Sequence, residues 1–207
     1  VAAGTLLAMA TRREELRGAL GTRWSGARAR QRALVEQVHD FDRRIDNWVD
    51  RVRGPGLDPV FYGLSSAADH GLLWLAVGSV KAAREGDPAV ALRLGASMGI
   101  ESILTNGPIK MCFRRVRPAG DHSPEGPLPY GMHRPVSSSF PSGHATSAFT
   151  AAMLLADSPL APAYFVLAVA VASSRVYTKM HHTSDIVAGS LLGLAMGAVA
   201  RKLLPLA

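Results

Sequence analysis

Three short segments of this chain hold residue types that could grip an anion or move a proton. The first is Lys110-Met-Cys-Phe-Arg-Arg-Val-Arg117-Pro118. Read as a helix, it brings Lys110, Arg114 and Arg117 to one face, and it is expected to stop near Pro118. Cations there complement the negative end of a helix dipole, and the same charges could equally form a wall for phosphate. The second segment is Phe140-Pro141-Ser142-Gly143-His144. Ser142 can cap a helix, Gly143 permits close backbone approach, and amides at a helix start bind phosphate readily. An ordinary helix cap would use the same residues. The third runs from Ser174-Arg175 to His181-His182-Thr-Ser-Asp185. If this segment is helical, His181 and Asp185 share a face, so the carboxylate can hold one imidazole nitrogen and leave the other free to attack. A His-His-Asp cluster also suits zinc, although the sequence offers no clear set of further ligands.

The elements that must position these segments are five apolar stretches, read as helices from their Ala, Leu and Gly content and their length. They run from Pro59 to about Lys81, from Pro88 to about Ile109, from after His144 to near Asp157, from Pro159 to about Ser173, and from Ser184 to about Leu204. The first, second and fifth reach the roughly 20 residues that a membrane span requires. Gly189, Gly193 and Gly197 make a small-residue stripe on the fifth, suited to close helix packing. The helix directions bring all three chemical segments to one end of the bundle. Ala119 to Phe140, rich in Pro, Gly, Ser and His, is expected to be a long loop covering that end. Upstream, Val38 to Val52 has an amphipathic helical pattern suited to a membrane interface or to the protein core. Residues 1–37 form a basic tail or surface helix, ahead of a helical domain over 38–207. No internal repeat is evident.

The chain has 207 residues and a net charge of +7. Its mean hydropathy of +0.13 is high for a soluble enzyme and low for a transporter. The cationic excess suggests an anionic partner. Nucleic acid is not expected as that partner, because no basic helix with interleaved aromatics appears. A single cysteine, Cys112, rules out an internal disulfide or a cysteine metal cage. Val1 to Ala10 is apolar but short, with its charges following rather than preceding, and does not read as a cleavable signal peptide.

Taken together, Lys110-x6-Arg117-Pro118, Pro141-Ser142-Gly143-His144 and Ser174-Arg175-x5-His181-x3-Asp185 resemble the three-part signature of the type 2 phosphatidic acid phosphatase (lipid phosphate phosphatase) superfamily. The resemblance covers roughly Val38 to the C-terminus, with every signature position present. Soluble bacterial acid phosphatases and vanadium haloperoxidases share that signature. The resemblance implies an all-α helical bundle in which Lys110, Arg117 and Arg175 hold phosphoryl oxygens. Ser142 and the Gly143 amide would add hydrogen bonds. It further implies His181 as nucleophile, Asp185 as its orienting carboxylate and His144 as general acid, without a metal or other cofactor. Arg114, Arg115, Lys179, His182 and His133 stay outside the expected catalytic set. Membrane members commonly have six spans, whereas five are counted here.

The expected function is hydrolysis of a phosphate monoester or diphosphate on a membrane lipid: phosphatidate, phosphatidylglycerophosphate or a polyprenyl phosphate. The expected setting is the cell membrane, multi-pass, with the phosphorylated lipid and the bilayer as partners. A soluble acid phosphatase or haloperoxidase with the same pocket is one alternative, and a non-catalytic lipid-binding protein another. With five spans, the positive-inside rule places the pocket on the cytoplasmic side.

Overall fold

The structure, a computed structural model, describes residues 2–118 and 137–204, with α1 side chains described at Trp24 and from Gly26 onward. Most of the covering loop expected over Ala119 to Phe140, with His133, lies outside the described residues. The regular elements of the described chain are all helices: α1 (Ala2–Val52), α2 (Asp58–Ala67), α3 (Leu72–Glu85), α4 (Pro88–Leu104), α5 (Gly143–Leu154), α6 (Ala161–Tyr177) and α7 (Thr183–Leu203). It divides into two compact units, residues 1–44 and 45–207. The first unit is the body of α1, which makes the expected basic tail helical. Trp24, Leu34, Val38 and Phe41 stand exposed along it.

In the second unit α5 is the central post. It is built from small residues, and Ala145, Ala148 and Ala151 have no exposed surface. Neighbouring helices can therefore approach its backbone closely. α7 packs on it most extensively, through the predicted glycine stripe. A Cβ on Gly189 would sit 2.6 Å from the Ser142 carbonyl oxygen, and one on Gly197 would sit 2.6 Å from Met153 Cβ. At Gly193 a Cβ would overlap the Thr146 carbonyl, and Thr150 Oγ1 donates to the Gly193 carbonyl at 3.2 Å. α6 and α4 take other sides of α5, with Leu94, Met98, Leu155, Ala168 and Val171 filling the core. Asp87 caps α4 by accepting from the Ala89 amide at 2.9 Å, and Gly86, at φ +69°, ends α3.

Two expected helices are broken, each for a local reason. The stretch Pro59 to Lys81 divides into α2 and α3 at a tight turn, Asp69–Gly71, where His70 (φ +55°) and Gly71 (φ +75°) both adopt left-handed backbone. The second stretch ends in a π-turn, Thr105–Ile109, containing Gly107 and Pro108. After Cys112 the chain leaves the helix and has no regular secondary structure as far as Pro118. Among the described helices, Thr183–Leu203 alone is long and apolar enough to cross a membrane by length and composition. Large apolar side chains face outward on several helices, including Leu92 (76 % exposed), Val166 (69 %) and Leu203 (74 %).

Candidate active site

Each of the three chemical segments is placed by a chain break at the same end of the second unit. The π-turn carries Lys110 inward, where its Nζ donates to Asn106 Oδ1 at 2.9 Å. Gly143 opens α5 directly against this pair: a Cβ there would lie 3.1 Å from Asn106 Oδ1 and 3.7 Å from Lys110 Nζ. Ser142 is the predicted cap, with its Oγ accepting from the Ala145 amide at 3.4 Å. Beyond Cys112, residues 113–118 lie beside 137–140. The Ser139 amide donates to the Arg115 carbonyl at 3.0 Å, and the Arg115 amide to Ser138 Oγ at 3.2 Å.

His181 does not lie on a helix. It occupies the turn between α6 and α7, and His182 is the N-cap of α7. Its Nδ1 lies 2.6 Å from the Ser139 carbonyl oxygen, and Arg117 Nη1 lies 3.1 Å from its Nε2. A carbonyl only accepts and a guanidinium only donates, so the proton belongs on Nδ1 and the lone pair on Nε2. Burial, then the charges of Arg117 and Arg175, push the His181 pKa down to about 3 against the opposing pull of Asp185. The imidazole is therefore neutral around pH 7, the form that can act as a nucleophile.

Asp185 sits beside His181 and has further partners of its own. Its Oδ2 is 3.6 Å from His181 Nδ1, within ion-pair range but beyond a hydrogen bond. That oxygen accepts instead from the His182 amide at 2.9 Å, and Oδ1 accepts from Arg115 at 2.6 Å. Asp185 thus caps α7 and anchors Arg115, while the Ser139 carbonyl holds the His181 ring. Arg115, left outside the expected set, belongs to the scaffold of the site. Arg114, expected on the cationic face, is exposed.

His144, in the first turn of α5, has a partner the sequence reading missed: its Nε2 lies 2.8 Å from Asp69 Oδ1. Asp69 sits in the turn between α2 and α3. Burial would raise its pKa, but the hydrogen bond and charge of His144, with Arg175 and His70, hold it below the usual carboxylate value. The signal available in sequence was three consecutive non-apolar residues, Asp69-His70-Gly71, interrupting an apolar run.

A cavity of about 850 Å³ joins these groups, with Lys110, Arg117, Arg175, His144, His181 and Gly143 in its wall. Arg175 is 3 % exposed; one of its Nη atoms donates to Ser65 Oγ, and its buried Nε has no partner among the described residues. Burial, with Arg117 and Arg175 nearby, pushes the Lys110 pKa down to about 8. Three cations crowded around one space, one with a free buried donor, suit an anion with several oxygens. Away from this cluster the wall turns apolar, with Leu75, Met98 and Ile103. Among the described residues, no group of three or more His, Cys, Asp or Glu could hold a metal ion.

The PAP2 superfamily model matches residues 90–206, the stretch that contains all three segments. Decaprenylphosphoryl-5-phosphoribose phosphatase of Mycobacterium tuberculosis is 32 % identical over 154 residues, covering 73 % of this chain and 81 % of that protein. The Mycolicibacterium smegmatis enzyme of the same name is 32 % identical over 140 residues, 65 % of this chain and 72 % of that one. Among solved structures, the transmembrane PAP2-type phosphatidylglycerolphosphate phosphatase of Bacillus subtilis superposes with a TM-score of 0.63 at 26 % identity. It covers 81 % of this chain and 86 % of its own. LpxE of Aquifex aeolicus shares the fold, with a TM-score of 0.59 at 23 % identity over 77 % of this chain and 93 % of its own. The chain belongs to the PAP2 superfamily.

Proposed function

We propose that this PAP2 phosphatase hydrolyses a phosphate monoester on a membrane lipid through a phosphohistidine. The observation that carries the reading is the convergence of Lys110, Arg117 and Arg175 with the lone-pair nitrogen of His181 on one cavity. In the first step His181 Nε2 bonds to phosphorus as the ester P–O bond breaks, and His144 gives a proton to the departing oxygen. In the second step His144 takes a proton from water, which attacks phosphorus. The P–N bond breaks and inorganic phosphate leaves. The three cations stabilise charge on the phosphoryl oxygens, a role filled elsewhere by metal ions.

The apolar end of the cavity suits a lipid chain. The relatives' names favour a phosphorylated sugar on a polyprenyl carrier, and the Bacillus structure favours phosphatidylglycerophosphate as the second substrate to try. Multi-pass embedding fits the outward apolar side chains of α4, α6 and α7 and the transmembrane character of the Bacillus enzyme. The test is phosphate release in detergent from decaprenylphosphoryl-5-phosphoribose, phosphatidylglycerophosphate and phosphatidate, with a strong chelator present. Preference for the first is expected. Activity that vanishes with chelator and returns with magnesium or zinc overturns the metal-free mechanism.

A further inference from the structure

We propose that Asp69 is the positioning residue of the general acid. It fixes the His144 tautomer so that only Nδ1 exchanges a proton with substrate and water. The inference rests on the phosphatase reading above and adds a residue outside the three chemical segments. The Asp69 carboxylate lies 2.8 Å from His144 Nε2 and, being ionised, only accepts, so Nε2 keeps its hydrogen in both charge states of the ring. Nδ1 is then the nitrogen that gains and loses the proton. When that nitrogen is protonated the ring is a cation, and the adjacent carboxylate stabilises it. When it has given up the proton, the Nε2–H bond to Asp69 still holds the ring for the return step.

The turn that presents Asp69 packs closely on α4. Gly71 adopts φ +75°, and a Cβ there would meet Met98 Cε of α4 at 2.8 Å. Asp69 and His70 line the same cavity as His144 and His181. The Asp69 side chain is 41 % exposed, so this carboxylate is placed at a cavity wall rather than sealed in the core.

The consequence is a dependence on the leaving group. An alkyl phosphate needs its departing oxygen protonated, while p-nitrophenyl phosphate does not. The measurement is kcat/KM, which reports the first phosphoryl transfer, for octyl phosphate and p-nitrophenyl phosphate with wild type, Asp69→Asn and Asp69→Glu. Asp69→Asn is expected to lower kcat/KM for octyl phosphate by about 10- to 100-fold, a fraction of what general-acid catalysis supplies, and to leave p-nitrophenyl phosphate within about threefold. Asp69→Glu, which retains the carboxylate, is expected to recover most of the octyl phosphate rate. Equal losses on both esters, or no loss on either, overturn the assignment, the former showing a merely structural role. A wild-type protein that releases phosphate from neither ester nor from any of the three lipids above overturns the proposed function itself, and this inference with it.

Discussion

The two sides of α5 are built on opposite principles. Toward α7 the helix is close-packed, with glycines pressed against its backbone and no room for one more carbon at Gly189, Gly193 or Gly197. Toward α3 and α4 it borders a cavity of about 850 Å³ that contains the charges and the histidines. The tight side holds the start of α5, and so His144, in a fixed place. The open side accepts whatever the cations attract. A protein interior dense enough to hold a reactive group steady leaves no room for substrate, so the two tasks fall on different faces of one helix.

The most severe way to break the open side is His181→Ala. Turnover is expected to fall by at least about 10⁴-fold while the protein still folds, because the nucleophile is lost and no packing depends on the ring charge. Protein denatured in alkali after incubation with labelled substrate should hold phosphate on wild type only, because a phosphohistidine survives base and is lost in acid. Near-normal turnover of the variant would end the phosphohistidine mechanism.

The tight side is tested by Gly193→Val set against Gly99→Ala. The first forces side-chain atoms into the α5 backbone and is expected to cost about 1–3 kcal/mol or more. The second adds a methyl where nothing lies within 4 Å and, in the interior of α4, is expected to raise stability by about 0.5–1 kcal/mol. Thermal unfolding in detergent reads both, and equal losses would erase the contrast between the two faces.

Lys110 sharpens the electrostatic half of the comparison. With its pKa pushed down to about 8, it loses its charge in alkaline solution well before an ordinary lysine. The second-order rate constant is expected to decline as pH rises past 8, by up to about tenfold per unit. Lys110→Arg should move that decline upward. Stability has the opposite sign: between pH 8 and 10.5 the unfolded chain holds the proton that the native protein sheds, so this group favours folding increasingly as pH rises. His181 follows the same logic at acid pH. Between 6.5 and about 3 the unfolded chain takes up a proton that the native ring refuses, and stability drops as pH falls through that window.

The smallest effect expected concerns Lys179, two residues before the nucleophile. It adopts φ +56° and is clamped by Asp46 at 2.6 Å and Asp50 at 2.7 Å, both from the last turns of α1. Lys179→Ala loses the clamp and keeps the strained backbone, whereas Lys179→Gly loses the clamp and relieves the strain. Glycine should therefore be the milder change by about 1 kcal/mol. A chemical denaturation series comparing the two would show it, and an alanine variant as stable as the glycine variant would argue against strain at this turn.

The sequence by itself determined the family, the all-helical class, the glycine stripe and several of the charged residues that line the cavity. Each of these is written in local pattern: apolar runs of helical length, small residues four apart, and Lys110, His144, Arg175 and His181 at helix ends. Where local reading failed, the chain had left the helical period. Past Cys112 it is no longer helical, so the helical period does not decide which residues share a side. Arg115 and Arg117 turn inward together while Arg114 faces out, a choice that spacings of four and seven could not show. Tertiary structure alone decided the partners of the two histidines. Ser139 and Asp69 reach His181 and His144 across 42 and 75 residues of chain. A backbone carbonyl has no signature in a one-letter code. A single carboxylate in an apolar run acquires its meaning only when folding brings a ring nitrogen to within 2.8 Å.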